Sequence, residues 1–169
     1  MGGVSLVMDA RRLAQLIDER AAGLVLYARQ WCATPEDVVQ EAFVKLAALS
    51  HPPDQPGAWL YRVVRNAALS AARGDARRRR HEAAASRAEA WFGPTEGQLD
   101  AVAASQALAA LAGDLREPVV AHLWGKLTFV QIGELMGISA ATAHRRYLEG
   151  LAELRRRLRV ECTNPSTLS

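Results

Sequence analysis

The sequence predicts an all-α protein of two small helical domains joined by a linker, the C-terminal one containing a helix-turn-helix. Three observations carry this. Apolar residues recur at spacings of three and four along most of the chain, the period of an amphipathic helix. Aromatics make up only 6% of a chain dominated by Ala and Leu, and no segment alternates apolar and polar residues with β-branched enrichment, which disfavours a sheet. Finally, the composition shifts near residue 81 to an Ala-rich stretch ending in Gly93-Pro94-Thr95-Glu96-Gly97. The 169 residues therefore divide into a domain over 5–80, a linker over 81–97, a domain over 98–160 and a tail over 161–169 expected to be disordered.

The first domain reads as three helices. From Ser5 to about Trp31, Leu6, Leu13, Leu16, Ile17, Leu24 and Tyr27 form an apolar stripe among charged neighbours. Thr34-Pro35-Glu36-Asp37 then signals a new start, with Thr34 as cap, Pro35 at the first helical position and Asp37 where a capping box closes. This second helix runs to about Leu49 and turns Val39, Ala42, Phe43, Leu46 and Leu49 inward. Asp37, Gln40, Glu41 and Val44 share another face, polar and acidic; it suits a solvated surface or a basic partner, and periodicity does not choose. Three prolines between Pro52 and Pro56 make residues 50–57 a loop. A third helix over about Ala58–Ala72 turns Leu60, Val63, Val64, Ala67 and Ala68 inward, leaving Arg62, Arg65, Asn66 and Arg73 on or near other faces. Trp59 and Tyr61 stand at its start. Aromatics beside arginines suit single-stranded nucleic acid, because an unpaired base stacks on a ring at about 1–3 kcal/mol while guanidinium groups hold phosphate; an isolated Trp such as Trp59 equally suits a core. The run from Arg73 to Arg80 places five arginines in eight positions, the composition of a phosphate-backbone contact. In the linker, Trp91 and Phe92 are expected to pack back onto a neighbouring domain.

The second domain reads as four helices, over Leu99–Leu111, Asp114–Trp124 with Pro118 in its first turn, Thr128–Met136 capped by Thr128, and Ala140 to about Arg159. Gly137-Ile138-Ser139 separates the last two. A glycine able to take positive φ, an apolar residue set between the helices and a serine capping the next helix are the parts of a helix-turn-helix. In the last helix Ala143, Tyr147, Leu151, Leu154 and Leu158 define the buried stripe, so Arg145 points away from it, flanked by Ala141, Thr142, His144 and Leu148. Small and basic residues there allow close approach to a major groove. Arg146 lies nearer the stripe, from which a long stem can carry its charge out to phosphate.

Charge is segregated along the chain. The overall +3 resolves into −2 over residues 1–60, +5 over 61–90, −3 over 91–121 and +3 over 122–169. Two basic blocks separated by an acidic stretch fit two nucleic-acid contacts, since a polyanion responds to potential within a Debye length of about 8–10 Å. No apolar run reaches the roughly 18 residues of a membrane span, and the opening MGGVSLVMDARRL turns charged too soon for a secretory signal, so the expected location is cytoplasmic. Cys32 and Cys162 lie too far apart in such a chain for a disulfide framework. His51, His81, His122 and His144 lack metal-ligand spacing, and no glycine-rich phosphate cradle is present. The expectation is no enzyme, no catalytic residue, no metal, no cofactor, no small-molecule substrate and no membrane partner.

The run Pro35-Glu36-Asp37-Val38-Val39-Gln40-Glu41-Ala42-Phe43, followed by Ala58-Trp59-Leu60-Tyr61-Arg62-Val63-Val64-Arg65-Asn66-Ala67-Ala68 and the arginine run, resembles region 2 of bacterial RNA polymerase sigma factors of the extracytoplasmic-function (ECF) group. Residues Leu127 to Thr142 resemble the start of region 4 in the same group. The resemblance implies a transcription initiation factor with core RNA polymerase and promoter DNA as partners. Asp37, Gln40, Glu41 and Val44 then dock on the polymerase β′ coiled coil, and the β flap is a second polymerase contact. His51 and Asp54 in the proline-rich loop, with Trp59, Arg62, Arg65, Asn66, Arg73 and Arg77, face the −10 element. Ser139, Ala140, Thr142, His144, Arg145 and Arg146 face the −35 element. An anti-sigma factor is a further candidate partner. Two departures leave the promoter sequence open: the proline-rich loop has no aromatic residue, and Thr142-Ala143-His144-Arg145-Arg146 differs from the commoner Thr-Val-basic-Ser-Arg pattern. Two other readings remain, a stand-alone helix-turn-helix regulator and a protein-binding adaptor that has lost DNA recognition.

Overall fold

In the computed structural model, backbone is described for residues 8–79 and 98–162 and side chains for 8–76 and 103–158. Within them lie seven helices: α1 (Ala10–Ala28), α2 (Pro35–Ala47), α3 (Pro56–Arg79), α4 (Gln98–Ala109), α5 (Gly113–Leu123), α6 (Phe129–Met136) and α7 (Ala140–Cys162). The described regular structure is all α. One compact unit contains α1–α3 together with the segment Trp124–Leu127, and the other contains α4–α7. Ser5, Leu6, the linker with Trp91 and Phe92, and residues 163–169 lie outside the described residues; α7 itself continues two residues past the domain end expected at 160.

In the first unit, Asp9 caps α1 by accepting from Arg11 N at 3.4 Å. The helix buries Leu24, Leu26, Tyr27 and Ala28, whereas Ile17, placed on the stripe by its spacing, is 38% exposed. Pro35 opens α2 as expected, but Thr34 makes no side-chain cap and Asp37 closes no box. The backbone explains this: Thr34 at φ −119°, ψ 62° is outside the extended region from which a capping hydroxyl reaches the first turn. Glu36 instead receives Arg29 Nη2 at 3.1 Å. The inward set Val39, Ala42, Phe43 and Leu46 is buried.

Helix α3 differs most from expectation, starting two residues earlier and ending seven later. Pro56 serves as its first residue, where a missing N–H costs nothing, and Trp59 N donates to Gln55 O at 3.0 Å to close the first turn. Ala and Arg are strong helix formers, so the helix runs on through the arginine cluster and absorbs Gly74 at about 1 kcal/mol. Leu60, Val64 and Ala68 of α3 are fully buried, as are Leu24 of α1 and Leu46 of α2, and these residues belong to the core of this unit. Tyr61 corrects the expectation that it stands with Trp59 beside the arginines. It is 1% exposed and packs edge-on against Tyr27 at 4.9 Å, Tyr27 in turn meeting Trp31 at 5.0 Å.

In the second unit, Leu108, Leu111, Val119, Val120, Ile132 and Ala143 form the core. Pro118 lies inside α5 rather than in its first turn; with no N–H it cannot donate to the carbonyl of Asp114, and its apolar ring is buried instead. The helix-turn-helix is built as its parts predict. Thr128 caps α6, its Oγ1 accepting from Gln131 N at 3.3 Å while Gln131 Oε1 accepts from Thr128 N at 2.9 Å, a reciprocal box. Gly137 takes the left-handed conformation at φ 69°, Ile138 N donates to Gly133 O at 2.9 Å, and Ser139 Oγ caps α7 by accepting from Thr142 N at 3.1 Å.

Candidate polymerase and nucleic-acid interfaces

Burying Val39, Ala42, Phe43 and Leu46 forces the opposite side of α2 outward. Asp37, Val38, Gln40, Glu41 and Val44 line a shallow open depression there. All four residues of the expected docking face are exposed, and Val44 is 61% exposed, an apolar side chain amid carboxylates. Glu41 carries a nearby countercharge, its carboxylate 3.5 Å from Lys45 Nζ. Val38, half-buried, joins this surface although it was not among the expected residues. An acidic rim around an exposed aliphatic group suits a basic protein surface carrying an apolar patch.

On α3, the inward residues leave one continuous outer strip. At about 100° per residue, Trp59, Arg62, Asn66, Ser70, Arg73 and Arg77 fall within an arc of about 80°. Arg62, Asn66, Ser70 and Arg73 are exposed and Trp59 is half-buried, while the side chain of Arg77 is outside the described residues. From Trp59 to Arg73 the strip extends about 21 Å at 1.5 Å per residue. Arg65 is half-buried and lies to one side of the strip. His51 and Asp54 are exposed in the loop that precedes α3. Ser70 was missed by the sequence reading; its i+4 spacing from Asn66 is the signal that finds it.

The exposed start of α7 is more structured than the sequence indicates. Arg145 is 68% exposed at its side chain with Nε 3.7 Å from Glu149 Oε1; Arg146 is 29% exposed with Nε 3.9 Å from Asp114 Oδ2. Ser139 and Thr142 are occupied in the cap, their hydroxyls 2.9 Å apart, and Ala140 is half-buried behind them. His144 is exposed, yet its ring packs against Phe129 at 4.7 Å. Phe129 also stacks on His122 at 4.5 Å and touches Tyr147 at 5.3 Å, so a ring cluster anchors α7 to α5 and α6. Periodicity alone gave no sign of these contacts. Further along, Glu153 accepts from Arg156 and Arg157 at 2.7–2.8 Å, and chiefly the Arg156 hydrogen bond lowers its pKa to about 2.

Cys32 is buried and donates its thiol to Ala28 O at 3.4 Å, and burial foremost raises its pKa. A neutral, enclosed thiol is a poor nucleophile. Among the described residues no group of three or more His, Cys, Asp or Glu is placed to hold a metal, and no helix is long and apolar enough to cross a membrane.

Two all-α units, the second carrying a helix-turn-helix, define the architectural class of this chain. Residues 16–78 match the family model of sigma-70 region 2. No curated protein matches the chain. Among solved structures, the chain is similar to the sigma factor RpoE from Bartonella quintana, seen in complex with the anti-sigma factor NepR: TM-score 0.72, 22% identity, covering 87% of this chain and 96% of that one. It is also similar to CnrH in complex with the cytosolic domain of CnrY, with TM-score 0.62, 20% identity, and coverage of 92% and 93%. The fold is shared with both.

Proposed function

We propose that this chain is a sigma factor of the ECF type, which binds core RNA polymerase and directs it to promoters. The observation that carries this is the region 2 match over residues 16–78, because that span holds both the exposed acidic face of α2 and the arginine strip of α3. In this reading Asp37, Gln40, Glu41 and Val44 dock on the β′ coiled coil, and region 4 contacts the β flap. Trp59, Arg62, Asn66 and Arg73, flanked by His51, Asp54, Arg65 and Arg77, hold the unpaired −10 strand. Ring stacking and phosphate contacts supply the binding energy that offsets strand opening. Helix α7 enters the −35 major groove with Arg145 outermost and Arg146 at phosphate, while Ser139, Ala140, Thr142 and His144 set its approach. The polymerase performs the bond-making chemistry; this chain acts in the cytoplasm and contributes binding alone. Both similar structures hold a second protein, RpoE with an anti-sigma factor, which supports an anti-sigma partner here too.

Run-off transcription with purified core enzyme tests the proposal. Promoter-dependent transcripts are expected only when the chain is added, together with a stable complex with core. Tight, specific duplex binding without core, and no transcript from any genomic fragment, would instead identify a stand-alone regulator.

A further inference from the structure

Four arginines of α7 are held in two different ways. Arg156 and Arg157 are fastened to Glu153 by three hydrogen bonds of 2.7–2.8 Å. Arg145 and Arg146 are paired without being fastened, since Nε to carboxylate separations of 3.7 Å and 3.9 Å exceed hydrogen-bond reach. At those distances Glu149 and Asp114 neutralise charge but do not orient the guanidinium groups. Both pairs are solvent-accessible, and Asp114 comes from the first turn of α5, so the second pair ties one helix of the unit to another.

We propose that Glu149 and Asp114 are exchangeable counter-ions of Arg145 and Arg146: they hold the two guanidinium groups in the free protein, yield them to DNA phosphate on binding, and so set the duplex affinity of the helix-turn-helix unit. This rests on α7 being the DNA-facing helix, as proposed above. Separating an exposed ion pair costs little, whereas transferring its arginine to DNA releases condensed counter-ions from a dense row of phosphates. The small cost of separating each pair is subtracted from the binding energy, so each carboxylate lowers the affinity through the arginine it holds. Glu153, bonded to its arginines, does not exchange.

The test uses the full chain, its Glu149→Gln and Asp114→Asn variants, and a fluorescent mixed-sequence duplex of about 30 base pairs, titrated between about 50 and 200 mM salt. Each variant is expected to bind about two- to five-fold more tightly at the low-salt end, with a steeper dependence of log K on log salt by up to about 0.9. In Arg145→Ala and Arg146→Ala backgrounds the corresponding gain is expected to shrink, because the carboxylate no longer has an arginine to yield. Unchanged or weaker binding by Asp114→Asn and Glu149→Gln, with a wild-type far-ultraviolet circular dichroism spectrum, overturns the exchange. An equal gain with and without the partner arginine also overturns it, since it reveals only a general field effect of the acid. If Arg145→Ala and Arg146→Ala themselves leave duplex binding unchanged, α7 does not face DNA and the groove reading fails first.

Discussion

Replacing Gly133 with alanine sets two local effects against each other, and the structure decides the sign. Gly133 lies within α6, where alanine is favoured over glycine by about 1 kcal/mol on helix propensity. Its surroundings oppose this. A Cβ there would stand 2.7 Å from Ile138 O, 3.1 Å from Ala140 N and 3.2 Å from Ser139 C. Ordinary contact begins at 3.4 Å, so the turn must retreat by about 0.7 Å, the difference between 3.4 and 2.7. All three atoms belong to the backbone, so no side-chain rotation relieves the contact. Overpacking of this kind costs about 1–3 kcal/mol, and strain on the 2.9 Å bond from Ile138 N to Gly133 O adds up to about 1 kcal/mol. Because no side chain can yield, the upper half of that overpacking range, about 2–3 kcal/mol, applies; with the bond strain added and the propensity gain subtracted, the net destabilisation is about 1–3 kcal/mol. Hydrogen exchange of the full chain reads this locally: amides of α6 and of the first turn of α7 should exchange about 5- to 100-fold faster, with α1–α3 unchanged. Gly113 supplies the control, since a Cβ there meets nothing within 4 Å and Gly113→Ala should slow exchange or leave it unaltered. Protection in Gly133→Ala equal to or above wild type would refute the close-packing account.

Asp37→Lys or Val44→Asp is expected to weaken binding to core RNA polymerase at least about tenfold, measured by fluorescence anisotropy, with thermal stability preserved because both side chains are exposed; unaltered affinity removes this face from the interface. Arg62→Ala and Arg73→Ala should each flatten the salt dependence of single-stranded oligonucleotide binding by about 0.7, and Trp59→Ala should cost about 1–3 kcal/mol if a base stacks there. For pH, the Glu153 carboxyl is lowered from 4.5 to about 2, chiefly by the Arg156 hydrogen bond. Its contribution is therefore fully present above about pH 4.5 and is lost as pH falls through about 2. Helicity followed by circular dichroism should show a loss in that window that Glu153→Gln lacks; an identical acid profile in the variant counts against the assignment.

Local chemistry made part of this protein legible in advance. The helix-turn-helix was readable because Thr128, Gly137 and Ser139 act on backbone groups within four residues of themselves. The same logic misjudged Thr34, a proper capping residue type whose ψ of 62° lies outside the extended region of a capping residue and which makes no side-chain cap. It also stopped α3 at Ala72, although nothing between there and Arg79 opposes a helix strongly enough to end it. On the surfaces, the outward direction of Asp37, Arg62 and Arg145 followed from the apolar stripes. Partners across space did not follow, as with His144 on Phe129 or Arg146 beside Asp114.

The sequence by itself determined that the chain is helical, where most helices begin, and which faces turn outward, because period, propensity and capping act over a few residues. Tertiary structure decided which of two neighbouring aromatics is consumed by the core: Tyr61 packs on Tyr27, and Trp59 keeps part of its surface on the arginine strip. It also left Ile17 outside and set Asp114 of α5 beside Arg146 of α7. Burial and long-range ion pairing depend on what a neighbouring helix brings to the contact, and the period of one helix carries no record of its neighbours.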